Sequence, residues 1–128
     1  MPDSPDKPFG VAGQVLGLRV REPTFEEGEE VRWEARANRF QQKIRSIGGR
    51  IYLTDRRLVF APHKFDEKLG GRAWSARLSD LDGAFVQGRF KNVRVVTKDG
   101  EMHRFVIWPR VESAEKIDAA IQAAKISS

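Results

Sequence analysis

The run Gly48-Gly49-Arg50-Ile51-Tyr52-Leu53-Thr54-Asp55-Arg56-Arg57-Leu58-Val59-Phe60-Ala61-Pro62 limits what this chain can fold into more than any other feature. Two β-rich strings, Ile51 to Thr54 and Leu58 to Phe60, flank a polar Thr-Asp-Arg-Arg corner, with a glycine pair before and a proline after. That punctuation reads as one hairpin. Its alternation needs a core side, so Leu53, Leu58 and Phe60 are expected to be buried, with Arg56 and Arg57 exposed at the corner.

Other strings of the same kind follow at short intervals. From Glu30 to Ala37, Val31, Trp33, Ala35 and Ala37 fall on one face and Arg32, Glu34 and Arg36 on the other, the period of a half-buried strand. Asn38 to Ser46 reads as a polar, basic connection, partly extended. His63 to Arg72 reads as a loop containing Gly70-Gly71. Trp74 to Leu78 and Ala84 to Gln87 read as short strands with a turn from Ser79 to Gly83. Asn92 to Lys98 and Glu101 to Ile107 are joined by Asp99-Gly100, which suits a two-residue type I′ turn and would set Lys98 opposite Glu101 and Val96 opposite His103.

After Trp108-Pro109 the period changes to that of a helix. Ser113 is the expected N-cap, and Ile117, Ile121 and Ala124 recur at i, i+4 and i+7. About seven antiparallel strands closed by a C-terminal amphipathic helix is the simplest architecture for this order. A chain of 128 residues is the size of one such domain. Residues 1–25 are expected to be a lead-in, partly disordered or laid on the barrel, with the domain spanning 26–128. Within the lead-in, Val11 to Val20 is apolar but broken by glycines.

Composition narrows the function classes. There is no cysteine, which removes disulfide scaffolds, thiol catalysis and thiolate metal sites. The longest stretch without a charged residue, Pro8 to Leu18, is far short of a membrane span, and Met1 to Lys7 lacks a basic signal-peptide region. A cytoplasmic location, with peripheral attachment to a membrane as an option, is the expectation. The net charge of +5 is unevenly spread: residues 1–30 carry three basic and seven acidic groups, whereas 31–64 carry nine basic groups against Glu34 and Asp55. A local positive field of that kind recruits phosphates or anionic surfaces, although it also describes an ordinary solvated surface with local pairing to Glu26 to Glu30.

The chain resembles the GRAM and pleckstrin-homology-like superfamily in Glu29-Glu30-Val31 with Ala35 to Phe40, in the hairpin from Gly49 to Phe60, in Trp74-Ser75 with Leu78-Ser79-Asp80-Leu81, and in the terminal helix. That resemblance implies a strongly bent, partly open barrel capped by a helix and a binding or scaffolding role. Some members of the superfamily bind phosphoinositides and others bind proteins. By that likeness the candidate anion site comprises Arg36, Arg39, Lys43, Arg45, Arg50 and Lys64, expected to converge at the open end of the barrel. Arginine forks suit phosphate geometry. The partner is then an anionic lipid surface or an acidic protein. Protein-protein interaction or self-association through a sheet edge is the alternative, and nucleic-acid binding a lesser one.

No catalytic constellation is visible, so no enzyme, no cofactor and no metal site is expected. His63 and His103 lie far apart and have no cysteine companions, and His103 reads as a half-buried sheet residue. Asp80 and Asp82 sit in a turn, where aspartate favours local backbone bonds. Gly48-Gly49 and Gly70-Gly71 belong to no phosphate-loop fingerprint and read as turn glycines. Trp33, Trp74 and Trp108 are expected in the core, and Phe40 either there, at a rim, or inserted at a membrane or a partner.

Overall fold

Apolar-charged alternation beginning at Val31 draws out the longest strand of the sheet. In a computed structural model describing residues 23–41, 45–68, 70–88 and 92–127, β1 runs Val31–Gln41, with Trp33, Ala35 and Ala37 packed on the core. It continues through Asn38 to Gln41, and β2 begins at Arg45. The stretch expected as a connection is therefore mostly strand, its polar side chains carried on ladder-paired backbone.

β2 (Arg45–Thr54) and β3 (Arg57–Pro62) form the expected hairpin, followed by the short helix α1 (Lys64–Lys68) where a loop was expected. β4 (Trp74–Arg77) pairs with β3; a 3-10 turn at Leu78–Asp80 leads into β5 (Leu81–Gln87). β6 (Asn92–Thr97), β7 (Met102–Ile107) and helix α2 (Arg110–Ser127) complete the order. The seven strands, all antiparallel, run β4-β3-β2-β1-β7-β6-β5 and curve into a half-barrel.

The inner face holds the core. Ile51, Leu58, Phe60, Val93, Val95, Phe105 and Ile107 are buried there, and Ile117 and Ile121 of α2 close the barrel over them. A smaller apolar cluster of Tyr52, Val59 and Ala61 lies on the outer face of β2 and β3, covered by Phe25 and Val31. Phe25 meets Tyr52 edge-on at 5.9 Å.

One register differs from expectation for an identifiable reason. Across β6 and β7, Val95 pairs with His103 and Val96 with Met102, one residue from the expected alignment. The Gly100 amide bonds to Thr97 O and the Thr97 amide to Glu101 O, so three residues, Lys98 to Gly100, form the loop. Gly100, at φ 94°, occupies the left-handed position that such a three-residue loop requires. Thr97 Oγ1 accepts from the Glu101 amide at 2.9 Å, holding the longer loop closed.

In α2 the first turn starts earlier than expected. The Ser113 amide bonds to Pro109 O, so Ser113 lies inside the helix and is buried, not at its cap. The inner position at the end of β7 is taken by Ile107, and the next residue, Trp108, points outward and is 64% exposed. Trp33 and Trp74 do pack on the core.

α2 also protects an edge of the sheet. Asp118 Oδ1 accepts from the Ala84 amide at 3.0 Å, and Lys125 Nζ donates to Asp82 O at 2.7 Å. Side chains of the helix thus occupy backbone groups of β5 that an added strand would need.

Candidate functional site

Period-2 alternation decides where the candidate arginines go. Arg36 and Arg50 are direct cross-strand neighbours on the outer face, whereas Arg39 and Arg45 share the inner face at the barrel's open end. The six residues therefore do not form one cluster. Lys64 opens α1, and Lys43 lies outside the described residues. Arg50 is further committed: its Nε donates to Glu34 Oε1 at 2.7 Å.

The open end is built around Arg39. Strand β1 presents it opposite Phe105 of β7, beside Trp74 from the start of β4. Its guanidinium lies 5.8 Å from the Trp74 ring centroid, and Nη2 is 3.4 Å from Nδ1 of His103. Trp74 in turn packs on His103 at 4.7 Å and on Phe105 at 5.5 Å. Glu101 Oε1 is 3.3 Å from Nε2 of His103, off the line of a good hydrogen bond.

Burial holds the pKa of Arg39 below the ordinary arginine value. The same burial, with the Arg39 charge second, depresses His103, which keeps its imidazole neutral and able to accept from Arg39. Among the described residues no carboxylate pairs with Arg39, and its Nε is buried without a hydrogen-bond partner. A guanidinium so placed favours an added anion, because the cost of burying its charge has already been met.

The rim comes from the ends of the neighbouring strands. Gln41 pairs with Arg45 across β1 and β2, its Nε2 donates to Gly70 O at 3.1 Å, and its Oε1 accepts from the Arg72 amide at 3.1 Å. The Arg45 guanidinium lies over Gly70, where an added Cβ would stand 3.2 Å from Nη1. Gly70 has φ 98°, so glycine there answers both to the backbone and to the arginine above it. The sequence reading of Gly70-Gly71 as turn glycines did not include this closeness to Arg45.

The corner of the hairpin has another use. Glu29 takes a two-point contact from Arg57, Nη2 to Oε1 at 2.7 Å and Nε to Oε2 at 2.9 Å, and Thr54 Oγ1 adds a third bond at 2.6 Å. Its pKa is lowered from 4.5 to about 2, chiefly by the Arg57 hydrogen bonds. Arg56 and Arg77 both reach Glu26, and the Glu30 amide donates to Asp55 Oδ1 at 2.8 Å. Arg57 is thus half-buried in an ion pair, contrary to the exposed corner expected from alternation, because Glu29 folds over it. The Thr54-Asp55-Arg56-Arg57 corner fastens residues 26–30 to the barrel.

No protein-family model matches the sequence, and no curated protein matches it closely enough to be called a relative. Solved structures do match in fold. The Vps36 N-terminal PH domain is similar with a TM-score of 0.64 at 18% identity over 82% of this chain and 88% of that one. The C-terminal domain of an unknown protein from Leishmania infantum is similar with a TM-score of 0.63 at 11% identity, over 91% of this chain and 97% of that one. The linker-DH/PH structure of p115-RhoGEF gives 0.59 at 13% identity, over 80% of this chain and 31% of that one. The chain has a PH-like fold. Among the described residues no helix is long and apolar enough to cross a membrane.

Proposed function

We propose that this chain is a non-catalytic binding module of GRAM type, spanning 26–128 behind a lead-in of 1–25, that holds an anionic group at the open end of the half-barrel. The observation that carries this reading is Arg39, a half-buried guanidinium at the barrel mouth whose Nε is buried without a partner, which lies over Trp74 and meets no carboxylate among the described residues. Arg45, its diagonal neighbour on the inner face, supplies a second positive group. Two guanidinium forks suit the oxygens of a phosphate or a carboxylate. A lipid headgroup and an acidic protein surface share that chemistry, and PH-like neighbours are consistent with either. The GRAM assignment rests on the hairpin from Gly49 to Phe60 and its tie to Glu29-Glu30. A cytoplasmic, peripheral module fits the same picture.

Co-sedimentation with phosphatidylglycerol vesicles tests it. Neutralising Arg39 and Arg45 together to Gln should weaken binding by about tenfold or more, the loss of at least one charge-assisted contact. Neutralising Arg32 and Lys116, on the outer face and on α2, should change it about twofold or less, and all binding should fade between low and physiological salt. Equal losses in both pairs would reduce the effect to diffuse charge. Absence of vesicle binding together with concentration-dependent assembly would favour a self-association scaffold. The edge for that would be β4, since α2 occupies β5.

A further inference from the structure

The outer face of the sheet carries a basic and aromatic pattern that no single strand displays. The backbone register lays the side chains in rows across the strands. One row is Arg50 and Arg36, continuing toward Trp108. A parallel row takes Phe40, Arg104, Arg94 and Phe85 from four successive strands. Between them Gly48, Asn38 and Val106 form a low floor, which Asn92 and Gln87 extend on β6 and β5. Gly48 keeps the floor low beneath its neighbours: a Cβ there would come 3.1 Å from His63, 3.2 Å from Asp66 Oδ2 and 3.6 Å from Asn38 Oδ1. A groove of about 610 Å³ lies along the first row, lined by Arg36, Asn38, Arg50, His63, Val106 and Trp108, among others, and the second row borders the sheet face beyond it.

Rings and guanidinium groups are already stacked along these rows. Arg104 lies 4.9 Å from the Phe40 centroid and Arg110 4.0 Å from that of Trp108. Trp108 is 64% exposed and Phe85 39%. The Nε atoms of Arg94 and Arg110 are buried without a hydrogen-bond partner, and neither residue has an ion pair among the described residues. Among the described residues lining the groove the carboxylate is Glu34, held by Arg50, and Asp66 stands at its border beside Gly48.

The geometry points to a single-stranded nucleic-acid site on this outer face, with bases stacked on Trp108 and Phe85 and the backbone phosphates running along Arg94 and Arg104. Charge complementarity selects a polyanion. The exposed rings and the amide-bearing floor select one that has flat, hydrogen-bonding bases, which an acidic peptide lacks. Arginine is the only cation in the two rows, and its planar fork both stacks on rings and pairs with phosphate. The site lies on the opposite face of β1 from Arg39, so it stands or falls independently of the open-end site.

Fluorescence anisotropy of a labelled oligothymidine of about 12 nucleotides, titrated with the full chain, tests the assignment at a length within the usual span of such sites. Binding should weaken with added salt, and Arg94→Gln with Arg104→Gln should lower affinity by about tenfold and flatten the salt slope. Trp108→Ala, at an exposed position where the fold is not at risk, should lower it at least about fivefold while leaving the thermal melt unchanged. Lys116→Gln, exposed on α2 and outside both sites, should leave it unaltered. No binding by the parent, undiminished binding by either outer-face variant, or equal loss in Lys116→Gln would overturn the assignment. So would displacement of the oligonucleotide by polyglutamate at equal charge concentration, which would make the face a site for acidic protein segments.

Discussion

At the β2–β3 corner, Arg56, Arg57 and Arg77 each meet a carboxylate, Glu26 or Glu29; at the open end of the barrel Arg39 meets an imidazole and an indole instead. Both regions are basic in sequence, and both are partly withdrawn from water. The corner returns its charge to the fold as a tie between residues 26–30 and the hairpin. At the open end Arg39 meets no carboxylate among the described residues, a disadvantage for stability that a bound anion would reverse. Basic residues alone therefore say little; what separates a structural arginine from a binding one is where the nearest carboxylate lies.

The sharpest way to break this comparison is to remove a partner at the corner. Glu29 has no exposed side-chain surface and Arg57 only 17%, so truncating Arg57 to Ala strands a buried carboxylate. We expect a loss of about 3 kcal/mol, the lower end of what breaking a buried pair costs, read as a shift in the urea midpoint without a change in slope. A loss below about 1 kcal/mol would place the pair among surface bridges of little value.

Acid should expose the same tie. Glu29 titrates at about 2 in the folded chain against 4.5 as its ordinary value, so the folded state binds this proton less readily than the unfolded one. Its contribution is complete above pH 4.5 and is lost as pH falls toward 2. Chemical denaturation across that window should show a steeper loss of stability for the parent than for Glu29→Gln. Parallel curves would mean that Glu29 does not carry the acid response.

Much of the fold was legible because local signals agreed: the hairpin, the alternation from Trp33, and Ile117 and Ile121 on one helix stripe all lie where their periods put them. Val31 does not share the face of Trp33, because the register shifts between the two and Val31 packs with Tyr52 and Val59 on the outer face. Boundaries were less legible. Asn38 to Gln41 reads as part of a polar, only partly extended connection, yet pairing with both β2 and β7 extends β1 through it. Asp99-Gly100 matches a two-residue turn in composition, and the Thr97 side chain, outside that pair, tips the loop to three. For the candidate site, alternation could separate Arg36 from Arg39 by face. It could not bring Trp74 and His103 to Arg39, since they are 35 and 64 residues distant from it in sequence and join it only through the sheet order. The outer-face rows were hidden for the same reason, each contributing strand giving only one or two residues to a pattern visible across strands.

Returning to the open end, removing the Arg39 charge should have a smaller effect on stability than removing that of Arg57. Arg39→Gln takes away a partly desolvated guanidinium that has no carboxylate partner among the described residues, so we expect a change within about 1 kcal/mol in either direction, even as vesicle binding falls. A loss as large as that of Arg57→Ala would show that Arg39, too, is structural, and would remove the contrast on which the binding site rests.

The smallest effect belongs to His103, whose pKa is depressed by burial and by the Arg39 charge. At neutral pH the imidazole is uncharged, and below 6.5 the unfolded chain takes up its proton more readily than the folded one. An anion seated beside Arg39 screens that guanidinium and favours imidazolium, so binding and protonation reinforce each other. Affinity for phosphatidylglycerol vesicles, whose charge is steady in this range, should therefore rise about two- to threefold as pH falls from neutral to slightly below 6.5, a fraction of one charge contact. The rise should vanish in His103→Gln, which keeps a side chain able to accept from Arg39 Nη2. A pH response that survives this substitution would assign it to another group and leave His103 as packing for Trp74 alone.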